Sequence, residues 1–396
     1  RDIGVTGVQT CALPIFFALG GHSLMVIRLL ARLQEAGRAA EVRSVFAAPT
    51  LRALAQAIDV AEQEGRAQQP FQAPPNAIPA GCEKLTPEML PLVQLSQAQI
   101  DEIVAQVPGG AANVQDIYPL APLQQGIHFH HSLQAEHDPY VLPALLEVDD
   151  EAALQALLAA LQRVIDRHDA LRTAVLSVRE HGAVQVVWRQ APLPVTELAL
   201  DASEEALTQL QRRLEAPQRM ALTQAPLLHA ELTRDPAGAR CFVLLRLHHI
   251  VSDHLGLERV HAEVQACLEG RAHELPEPLP YREFVAHAQH QARSSDAEAF
   301  FRERLADVDE PTAPYGLLDV HGDGRGIVER RRSLDADLAR RIRETARLQR
   351  VGPATLFHAA WALVVSATSG RDDVVFGTVL SGRLQGTRGA EQTLGL

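Results

Sequence analysis

The sequence predicts an α/β fold that follows a small helical domain, and three patterns support this class. A run of apolar and β-branched residues at 240–248 is typical of a buried strand. Apolar residues recur at three- and four-residue intervals over 154–165, which indicates an amphipathic helix. Helical patterns at 334–348 and 356–365 and a strand-like run at 373–380 then continue the alternation.

Composition indicates a globular protein and argues against nucleic-acid and membrane partners. The 396 residues suffice for two or three domains, and they carry a formal net charge of −12 with the acidic residues spread along the chain. No apolar stretch reaches the roughly 20 residues of a membrane helix. Because no secretory signal is recognisable either, we expect a soluble, cytoplasmic protein. The 4 cysteines show no Cys-x-x-Cys spacing, which argues against a zinc knuckle or a disulfide framework.

The first helical domain is predicted over residues 16–60. Its first helix carries one apolar face, and Pro49 separates two later short helices, with Thr50 available as a cap. Residues 5–15 resemble the translation of a common DNA-sequencing adapter. We therefore expect residues 1–15 to be an artefact and leave them out of the fold.

Residues 61–112 are predicted to form a linker. Prolines are frequent up to residue 80 and periodicity is weak, as expected of an extended, semi-rigid segment. Within it, Ser96 and Gln99 have the spacing of a capping box, which predicts one short helix that ends before Pro108.

The most informative stretch is the turn that follows the strand at 240–248. It carries His248 and His249, with Asp253 four residues after the second histidine, and helical spacing begins after Asp253. Neighbouring residues of a strand face opposite ways, so only one of the two imidazoles can enter a given cavity. An imidazole exchanges protons near neutrality, which favours acid–base chemistry, although a pair of structural histidines is the alternative.

Four segments together resemble the condensation domains of nonribosomal peptide synthetases, which are related to chloramphenicol acetyltransferase. The turn resembles their His-His-x-x-x-Asp-Gly signature, except that His254 stands in place of glycine. The other segments, in the order of the family, are Tyr118 to Gly126, Arg167 to Thr173, and Tyr281 to Phe284. The resemblance implies a chloramphenicol-acetyltransferase-like condensation fold, with its N-terminal lobe at 113–290 and the start of a truncated C-terminal lobe at 291–396.

The segment from Phe16 to Leu24 resembles the phosphopantetheine attachment motif of peptidyl carrier domains. The resemblance implies that Ser23 bears a covalent 4'-phosphopantetheine and that 16–60 is part of such a domain. A phosphodiester at the start of a helix would meet free backbone N–H groups. An ordinary serine N-cap is the alternative.

A second histidine pair suggests a subtype. His130 and His131, followed seven residues later by Asp138, resemble the extra His-His signature of dual epimerisation/condensation domains, with Ser132 and His137 as departures. A plain condensation domain is the alternative. A metal site formed by His128, His130 and His131 is not expected, because no cysteine and no suitably spaced carboxylate accompanies them.

The resemblance also implies residue roles. His249 is expected to orient or deprotonate the acceptor amine. His248 belongs to the same catalytic motif, and Asp253 is expected to organise the turn through an ion pair, for which Arg172 is the candidate partner. His131 is expected to act opposite His249 as a second base for epimerisation, although His130 could serve instead.

Partners follow from the same resemblance. They are the upstream and downstream carrier domains and the adenylation domain of the same synthetase, a phosphopantetheinyl transferase, and aminoacyl or peptidyl thioester substrates. The full-length parent is expected to be an enzyme, whereas the fragment alone is expected to be inactive or poorly folded. A non-catalytic docking scaffold and a stand-alone epimerase are the other functional classes.

Overall fold

A computed structural model of the chain describes residues 51–63, 71–133, 138–201, 203–235, 238–294, 296–318, 328–349, 351–378 and 393–396, with single positions between 25 and 50. The chain divides into two compact units. We call Gln72–Gln291 with Gln392–Leu396 the sheet unit, and Arg1–Phe71 with Ala292–Glu391 the helical unit. Within the described ranges, no helix has the length and apolar character needed to cross a membrane.

The described helices, in chain order, are α1 (Leu51–Gln63), α2 (Gln97–Val104), α3 (Pro122–Leu133), α4 (Glu151–Arg167), α5 (Ala206–Glu215), α6 (His254–Leu268), α7 (Tyr281–Ser294), α8 (Ala297–Arg304), α9 (Ala336–Leu348) and α10 (Pro353–Ser369). The described strands are β1 (Val114–Pro119), β2 (Val141–Val148), β3 (Thr173–Val178), β4 (Gly182–Trp188), β5 (Val195–Glu197), β6 (Leu228–Arg234) and β7 (Cys241–His248). Every strand belongs to the sheet unit.

The strands form two sheets. A three-stranded antiparallel sheet has the order β1-β4-β3, and a four-stranded sheet has the order β2-β7-β6-β5, in which only β5 and β6 are parallel. Strand β7 lies inside the second sheet and is buried at all but one of its positions, which explains its nearly continuous apolar sequence. The sheet therefore presents the end of β7, with its histidine pair, at a fixed place.

The periodic patterns predicted the main elements correctly. Helix α4 buries Leu154, Leu161 and Ile165 on the predicted face, and β7 and α6 occupy the predicted strand and the helix after it. Both reciprocal hydrogen bonds of the predicted capping box are present at Ser96 and Gln99, at the start of α2.

The segment from Gln72 to residue 112 differs from the extended linker expected there, since it packs within the sheet unit. Leu85, Ile100 and Ile103 are almost fully buried. The Arg189 guanidinium donates to the carbonyl of Ile78 across 3.1 Å, which ties the segment to the end of β4. Burial of these apolar side chains stabilises the packed state over an extended one.

Residues 393–396 also lie in the sheet unit, not with the start of the second lobe to which the sequence analysis assigned them. Leu394 is buried there, and the hydroxyl of Tyr281 donates to the carbonyl of Leu396 across 2.8 Å.

The helical unit contains the predicted carrier segment and Ala292–Glu391. Its described carrier core is a cluster of apolar side chains, of which Leu30 lies on the predicted face of the first helix: Val26, Leu30, Val45, Leu54 and Ile58. Thr50 caps α1 as predicted, since its hydroxyl accepts from the amide of Ala53 at 3.1 Å. Residues 1–15 lie outside the described residues.

The strand predicted at 373–380 is absent from its described part, 373–378. A strand requires hydrogen bonds to a neighbouring strand. The amide of Val375 instead donates to the hydroxyl of Thr312 across 2.9 Å. The prediction was wrong there because an apolar run specifies burial, while pairing depends on a partner elsewhere in the chain.

Candidate active site

The candidate site begins where β7 ends. Residues His249–Val251 form one 3-10 turn, and α6 starts directly after Asp253. The carboxylate of Asp253 accepts from the amide of Gly256 across 2.8 Å and so caps α6. The departure at His254 is harmless for the backbone, because His254 is helical and exposed. The position in this region where a side chain would clash is Gly256, since a Cβ atom there would lie 2.3 Å from the hydroxyl oxygen of Ser252.

His248 is fully buried and uses both ring nitrogens. The amide of Ile250 donates to Nδ1 across 3.1 Å, so the ring proton of the neutral imidazole resides on Nε2. Nε2 lies 2.9 Å from Oδ2 of Asp138 and donates to it. Although His248 was predicted as part of the catalytic motif, neither nitrogen remains for a substrate.

Asp138 joins the two histidine pairs. The same oxygen, Oδ2, lies 2.5 Å from Nδ1 of His131, and Oδ1 accepts from the amide of Tyr140 across 3.0 Å. Burial favours protonation of the Asp138 carboxyl, but the hydrogen bonds from His248, His131 and Tyr140 outweigh it and lower the pKa. Burial also lowers the pKa of His131, and the hydrogen bond to Asp138 opposes this only in part. We call the buried set of His131, Asp138 and His248 the carboxylate bridge.

The carboxylate bridge has the residue types of a metal site, since its possible ligand atoms lie within 4.8 Å of one another. The tautomer of His248 argues against that use. A metal-bound Nε2 would require the ring proton on Nδ1. The amide hydrogen of Ile250 already points at Nδ1. The set is therefore better described as a hydrogen-bonded support.

His249 is the histidine that faces outward from the turn. Its backbone amide donates to the carbonyl of Tyr140 across 2.8 Å, and its ring is only partly buried. Within the described part of the chain, its Nδ1 atom is buried and has no hydrogen-bond partner. An imidazole at the end of a strand, with a ring nitrogen that no described residue engages, can act as an acid, a base or a hydrogen-bond donor.

His130 is connected to His249 through Tyr140, which contacts both. Its Nδ1 lies 2.9 Å from the hydroxyl oxygen of Tyr140. The ring centroid of Tyr140 lies 6.0 Å from that of His130 and 6.5 Å from that of His249. The second histidine pair is thus divided, because His131 contacts the partner of His248 while His130 is connected to His249.

Arg172 is not the partner of Asp253, contrary to the prediction. Its guanidinium is buried and donates to the backbone carbonyls of Ile165 and Trp188 and to the side chain of Gln115. Burial lowers the pKa of this arginine, and the carboxylate of Asp169 opposes that effect. Arg172 lies between α4 and β3. There its guanidinium satisfies backbone carbonyls of the fold, and it does not contact the turn.

The sequence analysis assigned no supporting role to three residues that have one: Asp138, Tyr140 and Gln124. The amide of Gln124 is buried and donates to the carbonyl of Ile250 across 2.8 Å, which holds the turn at His249–Val251 against α3. Asp138 and Gln124 each lie inside a motif that had been recognised. Tyr140 had no sequence signal, because its contacts with His249 join residues about a hundred positions apart.

Ser23, the predicted attachment site, lies outside the described residues. The helical positions that follow it include Val26 and Leu30, and both are buried in the carrier core. The described part therefore agrees with the helix that the attachment motif is expected to start.

Comparison with known proteins identifies the family. The family described as "Condensation domain" matches residues 114–396, and the family described as "Phosphopantetheine attachment site" matches residues 11–58. The second match begins within residues 1–15, which the sequence analysis left out. It supports phosphopantetheine as the cofactor.

Two synthetases of Mortierella alpina resemble the chain over nearly its whole length. Malpinin synthetase and malpibaldin synthetase are each 46% identical to it over 383 residues, or 96% of the chain. The chain spans only 5% and 7% of their lengths. The crystal structure of a protein named CT matches with a TM-score of 0.53 and 19% identity, over 77% of this chain and 66% of that one, which is a likeness of fold. With the two family matches, these comparisons confirm the predicted condensation fold, and the chain belongs to the condensation domain family and carries a phosphopantetheine attachment domain before it.

Proposed function

We propose that the chain forms amide bonds in nonribosomal peptide synthesis, between a carrier-bound donor thioester and the amine of a carrier-bound aminoacyl thioester. The observation that carries the proposal is His249, which directly follows the interior strand β7 and whose Nδ1 has no hydrogen-bond partner among the described residues. The relatives from Mortierella alpina are named as synthetases, which agrees with bond formation.

In the proposed reaction, the acceptor nitrogen attacks the donor carbonyl carbon, a C–N bond forms, and the C–S bond breaks. His249 hydrogen-bonds or deprotonates the attacking amine, and the proton finally resides on the released thiol. General acid–base assistance of this kind contributes roughly 10²–10⁴-fold to rates. Asp253 and the carboxylate bridge act indirectly, because they hold the turn on either side of His249.

Phosphopantetheine on Ser23 would supply the thiol that carries the donor acyl group. A phosphopantetheinyl transferase would load it, and an adenylation domain and a downstream carrier of the same synthetase would supply the acceptor. The part of this chain is to hold the two thioesters beside His249.

We further propose the dual subtype, in which the donor residue is epimerised before ligation. The supporting observation is the carboxylate bridge, in which Asp138 binds one histidine from each pair. A solvent-exposed polar pair would not be expected to share a buried carboxylate with the condensation motif. The second pair is therefore assigned to the same site.

Of the two candidate second bases, His130 is favoured over His131. His131 is buried and committed through Nδ1 to Asp138. His130 is exposed and connected through Tyr140 to His249. His130 and His249 are thus the pair proposed to remove and return the Cα proton, which the adjacent thioester carbonyl makes acidic.

The test uses the full-length synthetase that contains the chain, an L-configured donor thioester and an acceptor thioester. Product mass and stereochemistry are determined for the wild type and for His249→Ala, His130→Ala and His131→Ala. We expect an inverted dipeptide from the wild type, loss of ligation in His249→Ala, and ligation without inversion in His130→Ala.

Each other outcome identifies an alternative. Ligation without inversion in the wild type would reduce the proposal to a plain condensation domain. Inversion without ligation would indicate an epimerase, and carrier binding without turnover would indicate a docking scaffold. Inversion lost in His131→Ala but kept in His130→Ala would reverse the assignment of the second base.

A further inference from the structure

Tyr140 is the residue at which the two halves of the site meet. Its amide donates to Oδ1 of Asp138 across 3.0 Å, and its carbonyl accepts from the amide of His249 across 2.8 Å. The backbone of Tyr140 is therefore fixed at one end to the carboxylate bridge and at the other end to the first residue of the catalytic turn.

The side chain of Tyr140 is fixed as well. Its hydroxyl oxygen lies 2.9 Å from Nδ1 of His130. Its ring meets the ring of His249 edge to face, with 6.5 Å between centroids and 86° between planes. Such edge-to-face pairs are favourable and have a preferred geometry, so they restrict the rotation of both rings.

His249 lacks the hydrogen bond that would usually orient a catalytic imidazole. In many enzymes a carboxylate or carbonyl accepts from the second ring nitrogen and so fixes both tautomer and ring orientation. Within the described residues, the buried Nδ1 of His249 has no hydrogen-bond partner. Orientation of the ring must then come from packing, and Tyr140 supplies the described aromatic contact.

We infer that Tyr140 is a positioning residue for His249: its ring sets the orientation of the imidazole, and its bond to His130 holds that ring in place. The kinetic consequence rests on the proposed function, whereas the orientation of the imidazole does not. A displacement of about 1 Å at a reacting group can cost on the order of 10²-fold in rate.

The test compares Tyr140→Phe with Tyr140→Leu. The first variant keeps the ring and removes the hydroxyl, and the second removes the ring. In the full-length synthetase we expect Tyr140→Leu to lower kcat for amide formation roughly 10–100-fold, with KM nearly unchanged. Tyr140→Phe should recover most of this loss.

A second measurement is independent of activity. In the ¹⁵N-labelled chain, the ring nitrogens of His249, identified through His249→Ala, should report a different tautomer population or exchange broadening in Tyr140→Leu, and little change in Tyr140→Phe. Tyr140→Met, which keeps more of the side-chain volume, replaces Tyr140→Leu if unfolding measurements show that Tyr140→Leu is not folded.

The outcomes separate this inference from the proposed function. A folded ring-deleted variant with unchanged His249 signals would overturn the positioning role. An unchanged kcat in an enzyme that needs His249 would overturn it as well. A wild type without amide formation, or a fully active His249→Ala, would contradict the proposed function, and the ring-nitrogen signals would still decide the role of Tyr140.

Discussion

Two identical neighbouring residues, His248 and His249, have opposite environments in this protein. His248 is fully buried and bonded through both ring nitrogens, whereas His249 is half-buried and has an unpartnered Nδ1. The alternation of side chains along a strand predicts that their directions differ. It does not predict which one is committed to Asp138, since that depends on a loop about a hundred residues earlier.

The difference predicts opposite effects on stability and activity. His248→Ala leaves the buried carboxylate of Asp138 with one donor fewer, which should cost about 1–3 kcal/mol of unfolding free energy. His249→Ala, the matched control, should cost less than about 1 kcal/mol while it abolishes ligation. Urea unfolding of both variants measures the first effect. Equal destabilisation by the two substitutions would contradict the assigned division of roles.

The carboxylate bridge also predicts a dependence of stability on pH. Burial lowers the pKa of His131 below the unfolded value of about 6.5. Below that pH the unfolded chain therefore binds more protons, and stability falls as the pH falls. The pKa of Asp138 is also lowered overall, despite its burial, so its contribution is complete above about pH 3.9 and is lost on further acidification.

The observable is the difference between the wild type and His131→Gln, measured as unfolding midpoints from pH 7 to pH 3. Subtraction is needed because Asp169 has the opposite effect on stability. Burial raises the pKa of Asp169 to about 6, so the folded chain binds more protons there than the unfolded chain does. The difference, wild type minus variant, should fall as the pH falls below about 6.5. A slope identical to that of the wild type would show that His131 is not held neutral.

At the residue scale, the sequence identified the outward histidine and missed what surrounds it. His131 contacts Asp138 and His130 contacts Tyr140, whose carbonyl accepts from the amide of His249. The pairing of Arg172 with Asp253 was wrong, because charge alone cannot tell an ion pair from a guanidinium that binds backbone carbonyls.

At the scale of elements, α6 depends on one close contact at its first turn. Gly256 lies where a Cβ atom would be 2.3 Å from Oγ of Ser252 and 3.4 Å from its Cβ. Gly256 is helical, so an alanine there would otherwise gain about 1 kcal/mol from helix propensity. The contact with Ser252 should reverse this sign.

We therefore predict that Gly256→Ala destabilises the chain by about 1–3 kcal/mol through overpacking. Ser252→Ala removes the nearest atom, so the double variant Ser252→Ala, Gly256→Ala should recover most of that loss. Thermal unfolding of the four proteins of this cycle measures the coupling. Simple additivity of the two substitutions would contradict the proposed contact.

Elements differ in how far the sequence determines them. Helix α4 and capped helix α2 are local structures, so periodicity and a four-residue signature sufficed to predict them. The run 373–378 has the composition of a strand but donates from Val375 to the side chain of Thr312. Strand formation is a non-local property, and composition alone does not provide the partner.

At the scale of the whole molecule, the segment from Gln72 to residue 112 is part of the sheet unit. Its prolines suggested an extended linker, but hydrogen bonds between side chains and backbone carbonyls connect it to distant elements. Asn76 donates to the carbonyl of Gln115, and Gln289 donates to the carbonyl of Leu92. Such bonds join residues far apart in sequence, so the local pattern did not show them.

A buried ion pair between Arg282 and Asp116 is another of these long-range connections. Nε of Arg282, on α7, lies 2.6 Å from Oδ2 of Asp116, on β1, and both side chains are nearly inaccessible to solvent. Arg282 also donates to the carbonyl of Pro74. One guanidinium thus links β1, α7 and the start of the packed segment, although burial raises the pKa of Asp116 against the effect of the arginine.

Removal of one partner should therefore cost far more than removal of both. Arg282→Met leaves an uncompensated buried carboxylate, which typically costs about 3–5 kcal/mol, whereas apolar replacement of a whole buried pair is often neutral. We expect Arg282→Met to lower the unfolding free energy by that amount, and Arg282→Met with Asp116→Leu to restore most of it. Hydrogen exchange of the amides at Leu85 and Ile100 should accelerate in the single variant and recover in the double variant. Full protection in a destabilised single variant would instead mean that the segment folds independently of this pair.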